Sequence, residues 1–350
     1  MLVVGGGVTG CACALALAEG GLRVRLQDAR EIAGGASGRN GGFALRGTAA
    51  AYDVAVAELG RRATELWRWT ESGLDRVAAL AGDAFRRIGS LRLAADEEER
   101  DELRAEYEAL RSDGFAGEWI DELESPLDGR FVGALLHPTD GVLQPARFVR
   151  KLAVAAADSG VEIREHTRVE SFKDVDADQV VVATDGYPSG LLGPLEGMII
   201  PTRAQMIATE PLEALRYERP HYGRNGFDYW HQREDGRLLL GGFRDVDVTT
   251  EFTDVEETTE PIQRTLDRFA ADLAGGPVHV THRWAGIFGL VPDFLPVVGR
   301  VPNGSRVWVA GGYSGHGNVL GLLCGELVAN AILEREAPLL DLFEPTRLVG

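Results

Sequence analysis

The sequence predicts an α/β fold in which a dinucleotide-binding domain is interleaved with an α+β domain built on an antiparallel sheet. Three observations predict this fold. A β-branched run at 2–4 leads through a glycine turn into a helix of small residues and then into a second strand that ends at Asp28. A strand and helix alternation resumes over 144–183. Between 198 and 283 the pattern changes to long strands interrupted by polar residues, which is typical of a sheet beside a cleft.

The length, composition and net charge of the chain limit the number of domains and the classes of protein to which it can belong. At ~150 residues per domain, 350 residues suggest about two domains. The 45% of hydrophobic and 26% of charged residues are typical of a globular protein rather than a disordered one. A net charge of −18 disfavours attraction to nucleic acid or to anionic lipid, so no nucleic-acid partner is expected. No apolar stretch of about 18 residues is present, so no membrane span is expected.

The positions of the cysteines and histidines indicate the cellular compartment and whether a metal site is expected. The three cysteines, Cys11, Cys13 and Cys324, cannot all pair, which favours a reducing cytoplasm over a secreted disulfide framework. The closest histidines, His279 and His282, lack HExxH spacing and have no neighbouring cysteine pair. The sequence therefore predicts no metal site.

The first turn has the spacing of a dinucleotide-binding motif. It consists of Gly5, Gly6, Gly7, Val8, Thr9 and Gly10. Gly5 permits the tight turn, Gly7 lets the backbone approach a pyrophosphate, and Gly10 lets the helix pack closely on the strand. Asp28, with Ala29 and Arg30 beside it, is placed to accept hydrogen bonds from ribose hydroxyls. This motif alone serves NAD as well as FAD.

The remaining elements follow in chain order. Helical spacing covers 53–81 and 96–112, and both segments are interpreted as faces packed over a sheet. The later elements are a helix from Gln144 to Ser159, strands at 161–166, 179–183, 202–209 and 237–243, a helix at 261–274, a strand at 307–310, and a last helix that ends near Glu334.

Four ordered motifs together resemble one enzyme superfamily. They are GGGVTG with Asp28, the loop GGASGRNGGF at 34–43, the strand and turn VVVATDG at 180–186, and the segment 284–299 followed by GYSGHGN at 312–318. This chain resembles the FAD-dependent D-amino acid oxidase superfamily, and within it the branch of glycine oxidase, sarcosine oxidase and γ-glutamylputrescine oxidase. The resemblance implies a Rossmann-like domain that binds FAD.

The resemblance also implies which residues hold the cofactor. Beyond the first motif these are Ala36, Ser37, Arg39, Asn40, Gly41 and Gly42 beside the flavin, Val169 near adenine, Ala183, Thr184 and Gly186 at a strand end, and Gly312, Tyr313, Gly315, His316, Gly317 and Asn318 at the start of the last helix. That helix terminus would stabilise negative charge on reduced flavin. The first loop has no histidine, and no cysteine stands shortly before Pro292 and Asp293, so FAD is expected to bind without a covalent link.

The implied chemistry is oxidation of a C–N bond. Hydride would leave the carbon that bears a neutral amine and reach flavin N5, and water would hydrolyse the imine. The implied partners are a small-molecule amine or amino acid and O2 or another electron acceptor. The candidate catalytic residues are Arg46 as a carboxylate clamp, Tyr229 and His231 on a cleft strand, Phe288 near the ring, and His316 as a donor. Packing or surface roles for Tyr229 and His231, and a structural role for His316, are the alternatives.

Two functional alternatives and the domain limits complete the analysis. An NAD-linked dehydrogenase and a flavin-bearing assembly or scaffold protein without turnover remain possible from the sequence. The FAD-binding domain is expected to comprise 1–46, 140–197 and 284–350, and the substrate-binding domain 47–139 and 198–283. Because few residues precede the first glycines, the natural chain is expected to begin upstream of Met1.

Overall fold

The computed structural model describes residues 1–172, 175–214, 216–303 and 306–349. The strands, in chain order, are β1 (Leu2–Val4), β2 (Arg25–Gln27), β3 (Phe43–Ala44), β4 (Phe85–Arg87), β5 (Ser90–Ala94), β6 (Glu118–Ile120), β7 (Gly133–His137), β8 (Gly141–Leu143), β9 (Glu162–Arg164), β10 (Val180–Val182), β11 (Ile200–Pro211), β12 (His221–Gly223), β13 (Asp228–Gln232), β14 (Arg237–Gly242), β15 (Val280–Leu290), β16 (Val297–Arg300) and β17 (Val307–Gly311).

Helices alternate with these strands. The α-helices are α1 (Val8–Glu19), α2 (Ala36–Arg39), α3 (Tyr52–Leu59), α4 (Arg61–Ala81), α5 (Glu97–Ser112), α6 (Pro145–Asp158), α7 (Glu260–Ala274), α8 (Gly317–Ile332) and α9 (Leu340–Phe343). Short 3-10 helices cover Gly82–Ala84, Gly193–Leu195, Arg224–Gly226, Arg244–Asp247 and Pro345–Leu348.

A six-stranded sheet has the order β16-β17-β10-β1-β2-β9 and is parallel except at β16. Its central strands are short apolar runs buried along their whole length, as expected for a parallel sheet covered on both faces. Helices α1 and α8 pack together on one face, and a Cβ at Gly325 would lie 2.4 Å from the carbonyl oxygen of Thr9. Glycine in α8 therefore allows the two helices to approach closely.

An eight-stranded sheet has the order β15-β11-β14-β13-β12-β5-β7-β6 and is antiparallel except between β12 and β5. One face packs on α7, where Ile262 and Leu266 meet Trp230 and Leu240 in a separate core. The other face contributes Tyr229 to a cavity. A three-stranded sheet, β3-β8-β4, completes the fold.

The expected α/β fold with an antiparallel sheet is confirmed, and several boundaries differ. The helix expected over 53–81 is two helices, because Gly60 has φ = 56° and ends α3. The first helix begins at Val8 instead of Cys11. The expected domain limit at residue 284 falls inside β15, which pairs with β11 from Thr209 to Ile200.

Within the described residues, no helix is both long and apolar enough to cross a membrane. The same residues contain no group of three or more His, Cys, Asp or Glu side chains that could hold a metal ion. All three cysteines are free and buried, and this burial raises the pKa of each thiol.

Candidate active site

A cleft of about 380 Å³ lies at the carboxyl ends of β1, β2 and β10, and we name it the dinucleotide cleft. It gathers most of the residues that the sequence predicts for cofactor binding. Those that line it are Gly5, Gly7, Val8, Thr9, Asp28, Ala29, Arg30, Ala36, Ser37, Asn40, Val169, Ala183, Thr184, Tyr313, Gly315, Gly317 and Asn318.

Six predicted glycines do not line this cleft. They are Gly6, Gly10, Gly41, Gly42, Gly186 and Gly312. A Cβ at Gly10 would lie 1.8 Å from the carbonyl oxygen of Gly5, and one at Gly186 would lie 2.4 Å from the carbonyl carbon of Phe288. These two glycines let backbone segments meet behind the cleft wall, so their contribution is to packing.

Asp28 and Ser37 are held by backbone amides. The amides of Gly6 and Arg30 donate to the two carboxylate oxygens of Asp28, and the Val8 amide at the start of α1 donates to Ser37 Oγ over 3.0 Å. Thr9 Oγ1 and Tyr313 Oη are 2.8 Å apart and link α1 to the loop after β17. The first turn of α1 thus faces the cleft beside an oriented carboxylate.

Asp185 is a cleft residue that the sequence analysis does not single out, although it lies inside the VVVATDG motif. Its carboxylate accepts the amides of Gly289 (2.9 Å) and Gly312 (2.7 Å). Burial raises the pKa of Asp185, and these amide hydrogen bonds oppose the rise. The side chain joins the ends of β10, β15 and β17 around one wall of the cleft.

Glu256 is a second feature that sequence reasoning missed. Its carboxylate accepts Arg30 Nη1 over 2.7 Å and Tyr187 Oη over 2.5 Å, and Arg39 Nη1 lies 3.6 Å away. Arg30, Tyr187 and neighbouring Asp254 line the cleft. The segment between β14 and α7 therefore reaches the dinucleotide cleft. Arg30 and Glu256 are 226 positions apart in the chain, so no local sequence pattern indicates their contact.

A second space of about 490 Å³, the inner cavity, lies between the dinucleotide cleft and the eight-stranded sheet. Five residues line both spaces: Ala36, Asn40, Phe288, Gly315 and Asn318. At this junction the side-chain amides of Asn40 and Asn318 bond to each other, with Asn318 Nδ2 donating over 2.9 Å. The two spaces therefore adjoin at these shared residues.

Arg46 lines the inner cavity, but its environment differs from that of a two-pronged clamp. Its Nη1 donates to Glu71 over 2.6 Å, and its Nη2 contacts the Ala116 carbonyl (2.9 Å) and His137 Nδ1 (3.2 Å). The side chain is 1% exposed, and only Nε lacks a partner among the described atoms. Both Nη atoms are thus already engaged within the protein, and the carboxylate clamp at Arg46 stays a prediction.

The wall around Arg46 is a buried polar network. Arg92 pairs with Glu106, whose side chain is 4% exposed. Asp140 accepts the Arg46 amide over 2.9 Å and the Ser90 hydroxyl over 2.7 Å. Burial raises the pKa of Asp140 to about 6, whereas the hydrogen bonds from Ser90 and Arg46 oppose the rise. Of these residues, only Arg46 is predicted from the sequence.

The aromatic candidates separate into two environments. Tyr229 lines the inner cavity, whereas His231, two residues along β13, does not. His231 Nε2 bonds the Gly41 carbonyl over 2.9 Å, and its ring packs on Phe43 with centroids 5.8 Å apart. His231 thus supports the loop beside the cavity, and burial lowers its pKa to about 4.

The remaining candidates lie at or near the junction. Phe288 lines both spaces, while His316, Arg39 and Gly41 line the inner cavity. His316 directly precedes α8, and burial lowers its pKa to about 4. His316 is therefore a neutral hydrogen-bonding group at pH 7.

The amino-acid sequence of this chain matches one family of known proteins. Residues 1–331 match the family DAO, described as FAD dependent oxidoreductase. The probable oxidoreductase OrdL of Haemophilus influenzae is 28% identical over 95% of this chain and 82% of its own length. The gamma-glutamylputrescine oxidoreductase of Escherichia coli is 29% identical over 97% of this chain and 85% of its own.

A solved structure supports the same fold. The crystal structure of glycine oxidase from Geobacillus kaustophilus superposes with a TM-score of 0.78, at 24% identity, over 96% of this chain and 95% of that one.

Proposed function

Because the chain belongs to the DAO family of FAD-dependent oxidoreductases, we propose that it oxidises the C–N bond of a small amine or amino acid. The observation that carries this proposal is that the two spaces adjoin at Phe288 and the Asn40–Asn318 pair. A small molecule in the inner cavity would face the inner end of a dinucleotide in the cleft. Membership of an FAD-dependent family favours FAD over a nicotinamide dinucleotide.

The residues of the dinucleotide cleft fit FAD. The first turn of α1 would face the pyrophosphate, Asp28 the ribose, and Val169 the adenine. Asn40 and Asn318 at the junction would lie beside the flavin ring. Tyr187 and Arg30, joined through Glu256, would close the cleft from the side of the second sheet.

When bound, FAD supplies a hydride acceptor at N5, and water then hydrolyses the imine product. The chain's own contribution is position and electrostatics. The α8 terminus at Gly317 would stabilise negative charge on the pyrimidine side of the ring. Phe43 and Phe288 would exclude water from the reacting carbon, and neutral His316 would offer a hydrogen bond there.

The alternative of a flavin-bearing scaffold without turnover is less well supported. Four arginines and two acids line the inner cavity: Arg39, Arg46, Arg92, Arg244, Glu106 and Asp140. Burying so many charges costs stability, and a surface for assembly would not require an internal space beside the flavin. We propose O2 or another small oxidant as the final electron acceptor, and the described cavity lining contains no lysine.

Anaerobic reduction with a panel of amines tests the proposal. The purified protein is mixed with primary, secondary and carboxylate-bearing amines. The flavin absorbance band, at roughly 450 nm, is followed over time. At least one amine should bleach the band, and admission of oxygen or of an artificial acceptor should restore it. Retention of the full band with every amine, in protein that dithionite bleaches, would contradict catalytic oxidation.

Non-covalent attachment has its own test. Acid precipitation should leave the yellow colour in the supernatant, because the loop at 34–43 has no histidine and Gly286 stands in β15 where a linking cysteine would be needed. A yellow, fluorescent pellet would show a covalent flavin.

A further inference from the structure

The Asp185 carboxylate lies just after β10, at the wall of the dinucleotide cleft, where main-chain amides surround it. Its Oδ2 accepts the Gly289 amide over 2.9 Å, and its Oδ1 accepts the Gly312 amide over 2.7 Å. The amides of Gly186 and Tyr313 also donate to it. Within 1–172, 175–214, 216–303 and 306–349, Asp185 forms no ion pair. Amide dipoles, and not a cation, therefore balance this negative charge beside the cleft.

The backbone around this carboxylate is crowded and partly left-handed. A Cβ at Gly289 would lie 2.8 Å from Asp185 Oδ1, and one at Gly311 would lie 3.2 Å from Asp185 Cα. Asp185 itself has φ = 50°, a left-handed conformation that costs energy in a residue other than glycine and that Asp and Asn tolerate best. Such strain is common at functional sites, which makes a purely structural role for Asp185 less attractive.

The amides that bind Asp185 belong to two segments that meet where the cleft adjoins the inner cavity. Gly289 directly follows Phe288, which lines both spaces. The other segment is the loop 312–318, which leads into α8. The Ser314 amide donates to the Gly289 carbonyl over 2.8 Å and joins the two segments directly. Asp185 thus holds both sides of the junction that the flavin ring would occupy.

Two charges of opposite sign act on this junction. The α8 terminus at Gly317 carries partial positive charge, has no acidic residue in its first turn, and favours negative charge on reduced flavin. The Asp185 carboxylate carries a full negative charge and opposes it. A unit charge at a range of ~10 Å, in surroundings with an effective dielectric constant of about 20, changes an equilibrium that creates a second charge by roughly tenfold.

We propose that Asp185 sets the reduction potential of the bound flavin, because its negative charge disfavours the reduced form. A lower potential makes it easier for reduced flavin to pass its two electrons to O2 or another small oxidant. Asp185 acts through its charge and through the two segments that it holds, and not by contact with the substrate. This inference requires FAD in the cleft, and it does not depend on the proposed oxidation of an amine.

The potential of the bound flavin tests the proposal directly. Wild type and Asp185→Asn, both loaded with FAD, are reduced gradually without oxygen beside a reference dye, and the reduced fractions of flavin and dye are compared. Asparagine keeps the size, an acceptor oxygen and the tolerance for left-handed backbone, but it removes the charge. Reduction of Asp185→Asn should be about 10-fold more favourable, which is ~30 mV for two electrons. An equilibrium within about 2-fold of the wild type, or shifted the other way, would overturn the proposal.

Asp341→Asn is the control for the loss of one negative charge elsewhere in the protein. Asp341 lies on α9, its side chain is 76% exposed, and it pairs with Arg62. The flavin of this variant should be reduced within about 2-fold of the wild-type equilibrium. A shift as large as that of Asp185→Asn would assign the effect to the net charge of the protein and would refute a particular role for Asp185.

Asp185→Gly is the second variant, for the case in which Asp185→Asn does not retain FAD. Glycine adopts a φ of 50° without strain and also lacks the charge, so the same shift of about 10-fold is expected. Thermal unfolding of the variants without FAD shows whether the fold persists. Loss of FAD by both variants, folded or not, would show that the carboxylate serves structure or cofactor retention, and the proposal would fall.

The dye measurement uses no amine, so it separates this inference from the proposed function. If Asp185→Asn shifts the equilibrium about 10-fold and no amine bleaches the flavin of any of these proteins, the charge effect stands and the proposed oxidation fails. If amines bleach the wild-type flavin but the potentials of wild type and Asp185→Asn agree, amine oxidation stands and this inference fails.

Discussion

The dinucleotide cleft and the inner cavity are built in different ways. The cleft is walled mainly by the glycine turn, the start of α1 and the strand ends that carry Asp28 and Ala183, so backbone atoms provide much of its surface. The inner cavity is walled by side chains from distant segments, among them Arg92 on β5 and Glu106 on α5. A backbone-lined cleft needs glycines at particular positions, whereas a side-chain-lined cavity needs matched charges.

This difference has an energetic consequence. In the cleft, the acid Asp28 is satisfied by amides that are present in any sequence. In the cavity, Arg46 pairs with Glu71 and Arg92 pairs with Glu106, so removing one member of a pair leaves a buried group without its partner. We therefore expect changes in the cleft to affect cofactor content first, and changes in the cavity to affect stability and pH dependence first.

The largest effect is expected from Gly10→Ala. The new methyl group would lie 1.8 Å from the Gly5 carbonyl oxygen, so α1 must move away from β1. Flavin content, measured as the ratio of absorbance near 450 nm to that at 280 nm, should fall to under about a tenth of the wild-type value, because the pyrophosphate turn is distorted. Gly276→Ala is the control, since a Cβ there meets nothing within 4 Å. Normal flavin content in Gly10→Ala would show that the cleft tolerates this movement.

Arg92→Met should destabilise the protein while sparing the cleft. It leaves Glu106 buried, with the Tyr52 amide at 3.3 Å as its remaining hydrogen-bond donor among the described residues. Loss of one member of a buried pair costs about 3–5 kcal/mol of the free energy of unfolding, which urea denaturation would measure. The double variant Arg92→Met with Glu106→Gln should recover part of this loss. A single variant as stable as the wild type would mean that Glu106 finds water or another donor.

Asp140 makes the stability of the cavity depend on pH. Its pKa is about 6 in the folded protein and 3.8 in the reference state, so folding favours the protonated form. The contribution of protonated Asp140 to the free energy of unfolding is fully present below about pH 4. It is lost as pH rises through 6, which lowers the free energy of unfolding by ~2–3 kcal/mol. As pH rises from 4 to 7, the free energy of unfolding of Asp140→Asn should therefore increase by that amount relative to that of the wild type. Asp101→Asn, at an exposed position, is the control. A constant difference between Asp140→Asn and wild type across this range would refute the shift.

The smallest effect is expected at Glu256, where the second sheet contacts the cleft. Glu256→Gln removes the ion pair with Arg30, whose side chain is 36% exposed, so the loss should be under about 1 kcal/mol. Release of FAD after dilution, followed by flavin fluorescence, should accelerate by up to about 5-fold. Glu257→Gln, an exposed neighbour, should release FAD at the wild-type rate. Equal release rates for all three proteins would remove Glu256 from cofactor retention.

The sequence predicts the backbone-built parts of the molecule well. The glycine turn, Asp28 and the GYSGHGN segment are contiguous patterns, and the structure brings residues from all three to one cleft. The family and its FAD dependence follow from those same motifs, and the family match confirms them. The longer helices lie close to where the sequence predicts them, although α1 begins earlier, at Val8, and Gly60, a residue of positive φ, divides the helix predicted over 53–81 into two.

The charge pairing of the cavity depends on the tertiary structure. From sequence, Arg46 follows the glycine loop at 34–43 and Arg244 follows a predicted strand, and nothing local shows that Glu71 neutralises the first. Only folding brings Arg224 and Arg203 to the acids that surround Arg244 and leaves its guanidinium without an ion pair among the described residues. The physical reason is that a turn motif encodes its geometry in adjacent residues, whereas the net charge of a buried side chain's surroundings depends on which distant groups the packing brings within a few ångströms.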